Sequence, residues 1–174
     1  MLNTKPNNPT KYDQGNYIPR YKDKVIKLNN FGGIYYRSSI EKKIMTWLDN
    51  KEEIIKWGAE NIAIPYQLTH IENGDIYLKS HIYYPDLYYE MKTPNGIRRV
   101  LVEIKPKKEY DDVLLLQNGS FEMGNNLNLK KLKNLEYRFL TAKKNNEKWK
   151  AAIKWCDKKG YEFIIIAEEH LKKI

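Results

Sequence analysis

The strongest constraint in this 174-residue chain is a pair of β-rich runs, HIYYPDLYYEM and IRRVLVEIKP, that flank the turn residues KTPNG. Branched and aromatic residues favour strands, and an Asn-Gly pair supplies the backbone angles of a tight two-residue turn, so the segment predicts a β-hairpin centred on Asn95 and Gly96. Side chains alternate along a strand. Val100, Val102 and Ile104 therefore share one face, while Leu101, Glu103 and Lys105 share the other. Folding the hairpin about Asn95-Gly96 sets Asp86 across from Lys105 and Tyr88 across from Glu103, so two carboxylates and one amine project together. A slip of one residue would scatter them.

Two carboxylates on one face suit a hard divalent cation such as Mg²⁺, with Mn²⁺ as a substitute, because that ion takes oxygen ligands and keeps waters that a substrate phosphate can replace. A bound metal acidifies its water and screens charge on an attacked phosphorus, and Lys105 would orient or deprotonate that water. Such a group is equipped for phosphodiester hydrolysis. A surface salt bridge across a hairpin explains the same residues, and on the residues alone both readings stand. Glu41 carries two readings as well. Ser38-x-x-Glu41 matches a capping box that closes a helix start, and the same carboxylate is a candidate additional metal ligand.

Around the hairpin the pattern is that of a mixed α/β domain, with helices against a central sheet. Residues 1–30 are rich in Asn, Lys, Pro and Tyr without periodicity and read as an irregular arm; residues 31–174 read as a single domain. Ile40, Ile44, Trp47 and Leu48 form an apolar stripe that predicts a helix near 38–49. Strands are expected at 54–57, 61–66 and 75–80, the last after the turn ENG. Leu129, Leu132 and Leu135, then Trp149, Ile153 and Cys156, predict two helices separated near Asn145-Asn146. Gly160 suits a helix stop, YEFIIIA a buried strand, and a short helix follows; residues 113–128 fit no clear element. Trp47, Trp57, Trp149 and Trp155 are expected in the core, and Tyr83, Tyr84, Tyr88 and Tyr89 alternate between faces.

Lys and Arg outnumber Asp and Glu 31 to 22, for a net charge of +9, and the excess recurs in YIPRYKDK, IKPKK, LKKLK and TAKK. A polyanion such as DNA is the natural partner of this distribution, although a solvated lysine face has the same composition. Arg37, Lys42, Lys107 and Lys108 flank the carboxylates in sequence and are candidate phosphate contacts; His81 and Gln67 are further candidates near the site. One cysteine, Cys156, excludes an internal disulfide and any thiolate cluster, which points to a reducing compartment. No stretch reaches the roughly 18–20 apolar residues that span a bilayer, and MLNTKPNNPTKYDQ lacks the apolar run of a signal peptide. No membrane association or export is expected.

YRSSIEKKIMTWLD, KWGAENIAIPY, YYPDLYYE, LVEIKPKK and EKWKAAIKWCDKKGYEFIIIAEEHL, in that order across roughly residues 35–172, resemble the head completion nucleases of T-even-type tailed phages. That family is similar in turn to the transposon-end-cleaving nuclease subunits of heteromeric transposases. The resemblance implies a restriction-endonuclease-like PD-(D/E)xK core in which Asp86 is the metal-binding aspartate, Glu103 and Lys105 form the E-x-K element, and Glu41 is the helix carboxylate. It further implies a Mg²⁺-dependent endonuclease acting on DNA when capsid filling ends, with portal or head proteins as partners. Its setting would be the host cytoplasm during assembly, and the virion. Two alternatives carry the same residues: a non-cutting head or neck protein that binds DNA, and a restriction, repair or transposition nuclease of the same fold.

Overall fold

The computed structural model describes residues 14–122 and 128–167. In chain order its elements are β1 (Gly15–Tyr17), β2 (Ile34–Tyr36), α1 (Ser39–Asn50), β3 (Ile54–Ala59), β4 (Ile64–Glu72), β5 (Asp75–Tyr83), β6 (Leu87–Thr93), β7 (Gly96–Lys105), α2 (Lys107–Gln117), α3 (Leu129–Lys159) and β8 (Glu162–Ala167). A four-stranded sheet runs β3-β6-β7-β8, antiparallel except for the parallel β7–β8 pair that α2 and α3 connect. β1 pairs with β2, and β4 with β5, as separate two-stranded ribbons.

Alternation along β7 divides the interior in two. Val100, Val102 and Ile104 pack with Ile44, Met45 and Leu48 of α1, with Ile54 and Trp57 of β3, and with Leu87 and Tyr89. On the other face Leu101 packs with Tyr88, with Ala152 and Cys156 of α3, and with Ile64, Tyr66 and Tyr83 at the base of the β4–β5 ribbon. The expected mixed sheet flanked by helices is thus present, and Glu103 and Lys105 fall on the α3 side.

The hairpin forms, but its register differs from the expected one. Thr93 pairs with Gly96, so the turn is centred on Pro94-Asn95, and Tyr88 lies across from Leu101 rather than Glu103. Proline fixes the backbone angle required at the first central position of an ordinary turn, and that preference displaces the Asn-Gly alternative. Gly96 instead begins the strand at φ +118°, a conformation that side-chain-bearing residues rarely adopt. The slip is two residues, an even number. Every side chain therefore keeps its face, although Asp86 now neighbours Glu103 instead of Lys105. HIYYPDLYYEM is also not one run: it divides at Tyr84-Pro85-Asp86 between β5 and β6, which belong to different sheets.

The expected break at Asn145-Asn146 does not occur, and α3 runs unbroken for 31 residues. Both asparagines are buried against α2, where Asn145 Nδ2 donates to Glu109 Oε2 at 3.2 Å and Gln117 Nε2 donates to Asn146 Oδ1 at 2.9 Å. Their amides are satisfied by a neighbouring helix, so they do not compete with the α3 backbone. Gly160 ends α3 in the left-handed conformation at φ +67°. Among the described residues β8 is the edge strand of this sheet, and it is only half-buried. Of the tryptophans, Trp57 and Trp149 are buried, Trp155 is half-buried, and Trp47 is 38% exposed against Tyr89. The short C-terminal helix falls on 168–174, outside the described residues.

From residue 14 onward the N-terminal segment is tied to the domain by Asp49, a buried carboxylate near the end of α1. It accepts from Tyr17 Oη at 2.9 Å and from the backbone N–H groups of Arg20 at 2.7 Å and Tyr21 at 3.1 Å. Burial and the neighbouring Asp49 push the Tyr17 phenol up to about 12, which keeps it a donor. Val25 bridges to Trp57, and the Tyr17 ring meets Trp57 edge-on at 6.0 Å. Asp49→Ala removes three hydrogen bonds and leaves two amides without their acceptor. The expected cost is about 2–4 kcal/mol in a urea melt, with new protease cleavage between Tyr17 and Val25.

Candidate active site

The site is built where β6 begins and β7 ends. β7 carries Glu103 into the interior at 2% exposure, and a carboxylate so placed needs partners for both oxygens. Lys105 Nζ lies 2.7 Å from Glu103 Oε1, and Tyr83 Oη donates to Oε2 at 2.5 Å. Lys105 reaches Glu103 because residues two apart on a strand share a face, and Tyr83 arrives from the last position of β5. Pro85 turns the chain between the two sheets and delivers Asp86, whose Oδ2 accepts the Ile104 N–H at 2.6 Å. Asp86 is locked further by its carbonyl, which accepts Glu60 N–H at 3.2 Å.

The electrostatics follow from this crowding. Burial, then repulsion by Glu103, push the Asp86 carboxyl from the ordinary 3.8 up to about 7; Lys105 and the Ile104 N–H oppose the shift, and Glu41 adds to it. Burial pulls the Lys105 ammonium down, but Glu103 and Asp86 together outweigh it and the net shift is upward. Burial and the Glu103 charge raise the Tyr83 phenol, so it remains a donor. Among the described residues no three His, Cys, Asp or Glu side chains converge closely enough to form a complete metal cage. Asp86 and Glu103 are the two carboxylates brought together here.

Glu41 takes the cap. Its Oε2 accepts the Arg37 backbone N–H at 2.9 Å, its Oε1 accepts the Ser38 hydroxyl at 3.2 Å, and its own N–H bonds Ser38 Oγ at 3.1 Å. It is near enough to raise Asp86, but it is held by the helix start. Arg37 feels Asp86 and Glu41 as well, while its guanidinium pairs with Glu60 at 2.5 Å. Lys42 sits over the Tyr36 ring at 5.2 Å. Lys107 pairs with Asp111 at 2.7 Å in the first turn of α2, and Lys108 borders a small cleft with Asp112 and Arg138.

His81 and Gln67 lie on the β4–β5 ribbon. His81 Nε2 is 3.3 Å from His70 Nε2, and its charged neighbours are Lys79 and Lys144. Gln67 lines a groove of about 420 Å³ with Lys150, Lys154 and Lys158 of α3. Two residues at the site had no signal of their own in the sequence. Tyr83 was one of several alternating tyrosines, and Lys148 belonged to a helix whose facing was not evident. Its ammonium lies over the Tyr83 ring at 5.2 Å and within electrostatic reach of Glu103, Lys105 and Asp86.

With this geometry in view, comparison with known proteins is decisive. Residues 51–168 match the family model described as TnsA-like endonuclease N terminal, a span that includes Asp86, Glu103 and Lys105. The chain belongs to the TnsA-like endonuclease family. Its sheet and flanking helices are the restriction-endonuclease-like fold of that family. It is also similar to the head completion nuclease of Enterobacteria phage T4, with 33% identity over 141 residues, 81% of this chain and 83% of that protein. No solved structure matches the chain.

The raised Asp86 has a measurable consequence. Below about pH 4 the carboxyl is protonated folded and unfolded alike, whereas between about 4 and 7 only the folded state holds the proton. The stability this group contributes is therefore present at low pH and lost as pH rises through about 7. Asp86→Asn keeps an acceptor for Ile104 N–H and carries no charge. In metal-free buffer it is expected to match the parent near pH 4 and to melt roughly 4–8 °C higher at pH 8, equivalent to about 2 kcal/mol. Equal melting temperatures at pH 8 would remove the case for a destabilising charge at Asp86.

Proposed function

We propose that the protein is a metal-dependent DNA endonuclease that hydrolyses phosphodiester bonds, acting on phage DNA at the end of head filling. The observation that carries this reading is the gathering of Asp86, Glu103 and Lys105 at the ends of β6 and β7, on the face that α3 covers. Its phage setting rests on the similarity to a head completion nuclease, and portal or head proteins are the partners this setting supplies.

The donor set fits a hard divalent cation. Asp86 and Glu103 offer only oxygen, and burial, then the negative charge of Glu103, push the Asp86 carboxyl up to about 7. A cation would relieve that crowding. Mg²⁺, or Mn²⁺ in its place, needs only one or two carboxylates when phosphate oxygens and waters complete its shell. When bound, it would supply an acidified water and a Lewis acid for the phosphate.

The remaining work falls to the chain's own groups. Tyr83 and Lys105 hold the two oxygens of Glu103, which fixes that carboxylate's orientation before any substrate arrives. Ile104 N–H does the same for Asp86. Lys105, kept as an ammonium by Glu103 and Asp86, is suited to stabilising charge on the attacked phosphate rather than to removing a proton. Glu41 adds negative potential at Asp86 from its cap, Arg37 feels the Asp86 charge as well, and Arg37, Lys42, Lys107 and Lys108 are the candidate phosphate contacts.

The test is nicking of supercoiled plasmid in Mg²⁺. Glu103→Ala and Lys105→Ala are each expected to lower the rate by about 100-fold or more, and chelation to abolish it. Variants that nick as fast as the parent would show that these residues are not the catalytic ones.

A further inference from the structure

α3 carries two separate rows of lysines. Lys150, Lys154 and Lys158 line the groove beside Gln67 and Trp155, on the outer side of the β4–β5 ribbon base. Lys144 and Lys148 lie on a different side of the helix. Lys148 faces Tyr83, Glu103, Lys105 and Asp86, while Lys144 is the charged neighbour of both Lys148 and His81. Pairwise proximity thus links a line of cationic or protonatable groups from the catalytic pocket to the ribbon: Lys105, Lys148, Lys144, His81.

Such a line is unfavourable in the protein by itself. Glu103 is already engaged by Lys105 and Tyr83, and Lys148 makes no ion pair among the described residues; its ammonium rests on an aromatic face. Burial and the charges of Lys105 and Lys144 pull the Lys148 ammonium downward against the attraction of Glu103 and Asp86. Lys148 and Lys144, neither of them in an ion pair among the described residues, suit a ligand that brings several negative charges. The spacing is informative too. Residues four apart on a helix advance about 6 Å, so Lys144 and Lys148 can serve successive phosphates of one strand.

The geometry points to a phosphate track: Lys148 and Lys144, continued by His81 on β5, carry one DNA strand from the Glu103–Lys105 pocket toward the β4–β5 ribbon. The track deepens the nuclease reading and rests on it for its choice of DNA. It excludes the Lys150/Lys154/Lys158 row as the main contact. It also gives His81 a place at the far end of the strand path instead of at the chemistry.

The experiment measures binding of a short DNA duplex across a salt series in Ca²⁺, comparing the parent with two double variants. One is Lys144→Ala with Lys148→Met, which keeps the apolar stem over Tyr83; the other is Lys154→Ala with Lys158→Ala. Removing one lysine–phosphate interaction lowers the slope of log affinity against log salt by about 1, so the first pair is expected to lower it by about 2 and the second to leave it unchanged. A Lys144→Arg/Lys148→Arg pair, which keeps both charges, is expected to keep the parent slope. An unchanged slope in the first pair, or an equal drop in the second, would overturn the track. So would a loss of plasmid nicking with no change in slope, because that outcome assigns the lysines to the chemistry alone. A parent that binds with the expected slopes yet never nicks DNA in Mg²⁺ would instead sink the nuclease reading and leave the track supported.

Discussion

A buried carboxylate at the end of the central strand is the constraint around which the molecule is organised. Glu103 has almost no contact with solvent, and an ionised group so placed is tolerated only when its oxygens are matched by strong partners. Those partners come from different parts of the chain: Lys105 from the same strand, Tyr83 from the end of a ribbon in another sheet. The β4–β5 ribbon must therefore dock its base against α3 and β7 for the charge to be satisfied, and Ile64, Tyr66 and Tyr83 in the shared core do this. A ribbon of two strands has little stability alone, so its apolar root and the Tyr83–Glu103 bond secure each other.

Asp86 shows the opposite balance. It is buried, receives one backbone donor and lies beside Glu103, and burial followed by that neighbouring charge pushes its carboxyl up to about 7. A fold selected for stability alone would place a neutral or apolar residue there, since an incompletely compensated buried charge costs more than it returns. In the proposed nuclease that cost is what a bound cation would relieve. Glu41 is placed differently from the pair: its oxygens accept the Arg37 N–H and the Ser38 hydroxyl at the start of α1, and its charge raises Asp86 from there.

Much of this was legible in the sequence because alternation along a strand is robust. Val100, Val102 and Ile104 on one side and Leu101, Glu103 and Lys105 on the other are where the period of two puts them, and Ser38 caps α1 as its spacing to Glu41 implies. The register was less legible. Pro94 and the Asn95-Gly96 pair favour different turns, and which preference prevails depends on the backbone of both strands together. The prediction survived in its consequence because the slip was even. The unbroken α3 illustrates a different limit. Asn145 and Asn146 read as a helix break until α2 supplies their hydrogen bonds, and that contact is created by a region with no periodic signal of its own. Tyr83 and Lys148 were hidden for a related reason, since their importance arises from the docking of three elements distant in sequence.

The long helix finally connects stability to substrate. Its inner residues, Ala142, Trp149, Ala152 and Cys156, bury it against the sheet and α2, while Arg138 pairs with the mostly buried Asp112. Those contacts fix the rotation of α3 about its own axis, and that rotation decides which lysines face Asp86, Glu103 and Lys105 and which face the groove beside Gln67. A change of one residue in the spacing of the apolar positions would turn the helix by about 100° and take Lys148 away from Tyr83. The basic excess of the chain is therefore not interchangeable surface charge. Along α3 its placement is dictated by core packing, and packing makes Lys148 a neighbour of Asp86, Glu103 and Lys105.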